Sequence, residues 1–356
     1  MTTPTPILIL DGGLGTSLQD HYSQTFSSSA TPLWSSHLMI SSPDTLLSCQ
    51  RDFTTTASVD VLLTATYQVS VAGFQRTKTP AHPAGIARPE IAPYLRTALS
   101  VADQAVQGTK AKIALSLGPY GATMIPGQEY SGDYDEGHAG EEALAAWHTE
   151  RLGLFTEAFQ GQGQELRDRV QYIALETLPR LDEVRAVRRA VTSAGEQTQG
   201  IPFWVACVFP KEDEDALPDG SSVEQVVEAA LLPEDGAATP WGIGINCTKV
   251  HKLPRLVGLF AQAVERLRAE GRIADRPALV LYPDGTQGEV YNTTTQTWEK
   301  KLDLGEKAYS RPWEVQLAQV VNDTVATGQF SAVLVGGCCK ASYNDIKRLG
   351  EQFQSA

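Results

Sequence analysis

The stretch Ala332-Val333-Leu334-Val335-Gly336-Gly337-Cys338-Cys339 is a short apolar run, rich in β-branched residues, that gives way to two glycines and then two adjacent cysteines. It has no polar alternation through its middle, which suits a strand covered on both faces in a parallel sheet. Seven other runs share this form: ILILDGG (7–13), VDVLLTATYQ (59–68), KIALSLGPYG (112–121), QYIALETLP (171–179), FWVACVF (203–209), GIGINCT (242–248) and ALVLYPDG (278–285). Between them lie stretches of helical periodicity, among them 89–107, 141–160, 181–194, 221–232, 253–270 and 312–327, the last with Pro312 at its first turn. Eight strands alternating with helices predict an α/β fold, a single (β/α)8 TIM barrel over residues 1–356, with the site at the C-terminal ends of the strands. A doubly wound open sheet is the alternative.

The bulk composition narrows the function classes. Of the 356 residues 42% are hydrophobic, enough to bury a large core. The formal net charge of -13, without a run of Lys or Arg, argues against nucleic acid and favours small-molecule substrates, cationic ones included. The start of the chain carries only four consecutive apolar residues, and no apolar stretch is long enough to span a membrane. The expectation is a cytoplasmic protein whose five cysteines are thiols rather than a disulfide framework.

Strand geometry constrains the cysteine pair. Successive side chains point to opposite faces, so Cys338 and Cys339 reach one point only where the strand has ended and the backbone turns. Gly336 and Gly337 permit that turn. Cys247 holds the same relative position at the end of the sixth strand, and alternate strands of a barrel contribute to the same inner layer. Three converging thiolates with an open position suit a catalytic metal site, and packed inert thiols are the other reading. The remaining strand ends carry Asp11-Gly12-Gly13, Glu176 and Asn246, two carboxylates and an amide suited to an amino group.

The ordered set DGGLGTSL (11–18), TATYQVS (64–70), GPYG (118–121), EYSGDY (129–134), ETLPRLDE (176–183), GINCT (244–248), YPDG (282–285) and GGCC (336–339) resembles the zinc-dependent homocysteine S-methyltransferase family, along nearly the whole chain. The resemblance implies a (β/α)8 barrel and a Zn2+ held by Cys247, Cys338 and Cys339. It also implies contacts to homocysteine from Asp11, Gly12, Gly13, Thr66, Glu176 and Asn246. The segments after the third strand look most like the branch using S-methylmethionine or S-adenosylmethionine, and the length leaves no room for a cobalamin module. Tyr120, Tyr130, Tyr134 and Trp313 are candidates to offer aromatic faces to a sulfonium donor. Ser17, TASVD (56–60) and the longer YPDGTQGEVYN segment depart from the family pattern. Competing readings are another thiol acceptor such as selenocysteine, betaine as the donor, a hydrolytic zinc barrel, and a non-catalytic zinc or thiol sensor.

Overall fold

The computed structural model describes residues 4–286, 288–292, 294–295, 297–300 and 311–354. Eight parallel strands form one sheet: β1 (Ile7–Ile9), β2 (Val61–Leu63), β3 (Lys112–Leu117), β4 (Tyr172–Leu178), β5 (Phe203–Cys207), β6 (Gly242–Lys249), β7 (Ala278–Asp284) and β10 (Val333–Val335). The spatial order runs β1-β10-β7-β6-β5-β4-β3-β2, and a parallel bridge from Leu10 to Val61 joins its two edges. The chain is therefore a (β/α)8 barrel, as the alternation of runs implies.

Both faces of the strands are apolar, for different reasons. Inward positions such as Leu10, Val61, Ala114, Tyr172, Ala174, Trp204, Ala206, Val280 and Leu334 fill the barrel interior. Outward positions such as Ile113, Leu115, Ile173, Leu175, Leu279 and Leu281 pack under the surrounding helices. A parallel strand covered on both sides gains from burying every side chain, which erases the period-two hydropathy signal.

Two details differ from the sequence expectation. Except for β6, the regular strands are shorter than the apolar runs, so β10 ends at Val335 and residues 336–342 lie outside strand and helix. The segment after β7 does not run straight to a helix but forms an antiparallel hairpin, β8 (Glu289–Asn292) and β9 (Thr297–Lys300). Lys249 at the end of β6 ties it down, donating from Nζ to the Glu289 carbonyl at 2.7 Å while pairing with Asp284 at 3.2 Å. Among the described residues no helix is long and apolar enough to cross a membrane.

Candidate metal and substrate site

At the C-terminal end of the barrel the inner face turns polar. Period two carries the inward direction from Ala114 to Ser116, from Ala174 to Glu176, from Gly244 to Asn246 and from Val280 to Tyr282. The Ser116 hydroxyl donates to Glu176 Oε1, the Tyr282 hydroxyl bonds the same carboxylate, and Trp204 Nε1 donates to the Tyr282 oxygen at 3.2 Å. Burial pushes Glu176 up to about 7, and the hydroxyl donors only partly offset it. Asp11, just past β1, accepts from the Leu63 N–H through Oδ2 at 2.9 Å, while its Oδ1 has no partner among the described residues. Burial, reinforced by the nearby Glu176, holds its carboxyl well above the usual range.

The ends of β4 and β6 are coupled. Both strands break register at this level, between Leu175 and Leu178 on β4 and between Asn246 and Lys249 on β6. Thr177 and Cys247 both sit in the left-handed region, at φ 59° and 48°. For a non-glycine residue, and a β-branched one above all, that conformation costs about 1–3 kcal/mol and persists only where neighbours over-determine it. Asn246 does so: its Oδ1 accepts from the Thr177 N–H at 2.8 Å and its Nδ2 donates to Thr177 Oγ1 at 2.7 Å. The same Nδ2 lies 3.4 Å from Cys247 Sγ.

The cysteine pair is placed mainly by backbone hydrogen bonds. Gly336 N donates to the Leu281 carbonyl at 2.9 Å, Gly337 N to that of Asp11 at 2.9 Å, and Cys338 N to that of Pro283 at 2.8 Å. Gly285 N in turn donates to the Cys339 carbonyl at 2.7 Å. The loop after β1 presses so closely that a Cβ on Gly13 would stand 2.4 Å from the Cys338 carbonyl oxygen.

All three sulfurs converge, lying within 4.8 Å of one another, with Cys338 and Cys339 Sγ 4.0 Å apart. Contrary to the expectation of free thiols throughout, Cys247 and Cys338 are joined as a disulfide, 91 residues apart in sequence. The reason is spatial: β7 alone separates β6 from β10, and the two turns bring the residues to a Cα separation of 5.5 Å. Reduced, the set could hold one metal ion, because the thiolate is the ligand form. Burial pushes the Cys339 thiol up to about 12, and Asp284 and Glu129 push the same way. A cation at this point would supply the positive charge that a thiolate here lacks. Cys49 and Cys207 are buried elsewhere, and burial raises both.

These groups line one cavity. Asp11, Gly12, Gly13, Glu176, Asn246, Cys247, Cys338, Cys339 and Tyr130 are on its wall. Thr66 is not: its buried hydroxyl donates to the Ser116 carbonyl at 2.7 Å and supports the wall from behind. Tyr120, Tyr134 and Trp313 are likewise absent from the described lining. Tyr120 bonds Asp135 and stacks on His138 at 3.8 Å, the Tyr134 hydroxyl donates to Glu183 at 2.5 Å, and Trp313 Nε1 donates to the Asp284 carbonyl at 2.9 Å. The aromatic wall instead comprises Trp34, Tyr67, Tyr130, Tyr291 and Trp298. Ser116, Thr177 and Tyr282 also line the cavity and are not among the site residues singled out from sequence, although Thr177 and Tyr282 stand in the quoted motifs and the inward parity of β3 and β7 carries the signal for Ser116 and Tyr282. The hairpin aromatics carry no such local signal.

Residues 8–353 match the family model described as homocysteine S-methyltransferase. A homocysteine S-methyltransferase of Escherichia coli strain K12 is 30% identical over 96% of this chain and 94% of its own. A second from Zea mays is 29% identical over 96% of this chain and 88% of its own. Among solved structures, the metallated form of an Escherichia coli homocysteine methyltransferase superposes with a TM-score of 0.65 at 25% identity, covering 97% of this chain and 96% of that one.

Proposed function

The chain belongs to the homocysteine S-methyltransferase family, and on that premise we propose that it moves a methyl group from a sulfonium donor, S-methylmethionine or S-adenosylmethionine, to the thiol of homocysteine, with zinc held by Cys247, Cys338 and Cys339. The observation that carries this reading is the meeting of three sulfurs and two buried carboxylates, Asp11 and Glu176, on one cavity wall. An all-sulfur donor set suits zinc better than the hard, oxygen-seeking cations. Bound there, zinc would hold a coordinated thiol as the thiolate at neutral pH. A reducing, cytoplasmic setting goes with this reading, since the ligands are thiolates rather than a disulfide.

The rest of the site's work falls to the chain. Asp11 and Glu176 face the homocysteine ammonium, and the hydroxyls of Ser116 and Tyr282 fix the Glu176 carboxylate for it. An arriving cation draws the Glu176 pKa down from about 7, so the carboxylate is charged when substrate is present. Asn246 holds the turn that presents Cys247. The rings of Trp34, Tyr291 and Trp298 offer polarisable faces to a sulfonium. That contact is suitably weak, because the sulfonium charge disappears as the methyl group moves, and binding it tightly would stabilise the ground state over the transition state.

The test pairs metal analysis with a donor comparison on reduced protein. The expected result is one zinc per chain and methionine formed from homocysteine with a sulfonium donor. Full activity after exhaustive chelation would remove the zinc, and transfer from betaine alone would remove the sulfonium.

A further inference from the structure

Glu129 lies in the loop after β3 and is 9% exposed. Its Oε2 has no hydrogen-bond partner among the described residues, and it lines the same cavity as the cysteines. The carboxylate lies over Gly127: a Cβ there would stand 2.4 Å from Oε2. The loop thus makes space for a buried carboxylate and leaves that oxygen without a hydrogen-bond partner among the described residues. Such a group is costly unless a ligand completes it. Tyr67, Tyr130, Tyr291 and Cys339 line that cavity with it.

The cavity therefore holds two unfilled carboxylate oxygens, Asp11 Oδ1 and Glu129 Oε2. Two substrates enter it, and under the function proposed above each carries an α-ammonium. Asp11 and Glu176 account for the first. The donor offers two positive centres to Glu129, its sulfonium and its ammonium. The sulfonium charge vanishes in the transition state, so a carboxylate placed on it would slow the transfer. The ammonium charge persists throughout and is a proper partner for a fixed anion.

We infer that Glu129 binds the α-ammonium of the methyl donor and so selects amino-acid sulfonium compounds over sulfonium or quaternary ammonium donors without an amino group. This deepens the sulfonium reading and rests on it. Gly127 is part of the device, since any side chain there would displace the carboxylate.

The experiment compares wild type with Glu129→Gln in the full-length, zinc-loaded protein, using S-methylmethionine and a carboxyalkyl dimethylsulfonium without an amino group. Glu129→Gln is expected to raise the KM for S-methylmethionine about 10- to 100-fold, the loss of one charged hydrogen bond. The homocysteine KM, the zinc content and the kcat/KM for the amino-free sulfonium should stay within about 2-fold of wild type. An unchanged S-methylmethionine KM overturns the inference, as does an equal loss with both donors or a loss on the homocysteine side. Wild-type protein that accepts neither sulfonium sinks the sulfonium reading itself, and the inference with it; active wild type beside an unaffected variant sinks the inference alone.

Discussion

The two turns that bring sulfur to the cavity solve one problem by opposite means. After β10 the backbone is free of side chains at Gly336 and Gly337, and the turn carrying Cys338 and Cys339 is fixed by main-chain hydrogen bonds to β7 and the loop after β1. At the end of β6 no glycine follows Gly244. Cys247 itself takes a left-handed conformation, and the Asn246 side chain, clamped to an equally left-handed Thr177 on β4, keeps it there. The first turn depends on the absence of atoms and the second on the presence of one amide. The β10 turn should therefore be sensitive to added bulk, and the β6 turn to the loss of a hydrogen-bond donor.

The largest effect removes the comparison altogether. Cys247→Ser and Cys338→Ser are each expected to lose tight metal binding and bring methyl transfer below detection, with the far-UV circular dichroism of the barrel retained. A variant with one zinc per chain and wild-type turnover would remove that sulfur from the ligand set.

Asn246→Ala tests the clamp. It keeps all three thiols but frees Thr177 and Cys247, and metal affinity is expected to fall about 10- to 100-fold, the usual size for a group that orients a ligand. Competition with a chromogenic chelator measures it; unchanged affinity would mean that the register break alone sets Cys247. Gly13→Ala tests the opposite turn, since its Cβ meets the Cys338 carbonyl at 2.4 Å. Stability is expected to drop by about 1–3 kcal/mol, the range for overpacking a tight site, as read from the urea midpoint.

The smallest effect compares the carboxylates rather than the sulfurs. Glu176 and Glu129 are both raised to about 7 in the folded chain from an ordinary value of 4.5. Between those values the folded state binds more protons than the unfolded, so stability falls as pH rises towards and through 7. The metal-free protein should show a higher urea midpoint near pH 6.5 than near pH 8, and Glu176→Gln should flatten that slope. Further acidification brings in buried His148, whose pKa is lowered from 6.5 and which opposes the trend. A rising midpoint from pH 6.5 to 8 would show that these carboxylates are ionised in the free protein.

Much of this was readable in the chain. Seven of the eight barrel strands fall inside the apolar runs, β6 overruns its run only at Lys249, and the glycines before Cys338 do stand outside regular strand. The parity of each strand directs Ser116, Glu176, Asn246 and Tyr282 inward. The aromatic residues were harder: Tyr120 and Tyr134 occupy the loop that delivers Glu129 and Tyr130, yet their hydroxyls turn to Asp135 and Glu183 instead of the cavity. Loop side chains have no fixed period from which to read direction. The hairpin that supplies Tyr291 and Trp298 is likewise held by Lys249, 40 residues from the Glu289 carbonyl it binds.

The sequence by itself determined the barrel, the inward parity of its strands and the two strand ends that carry the three sulfurs, because those follow from apolar runs, period two and glycine placement within a few residues. Tertiary structure alone decided which inward groups meet. The bonds that build the site join Ser116 to Glu176 across 60 residues and Thr177 to Asn246 across 69, and Cys247 meets Cys338 across 91. Contacts at those separations are set by strand register and barrel closure, which no local pattern encodes.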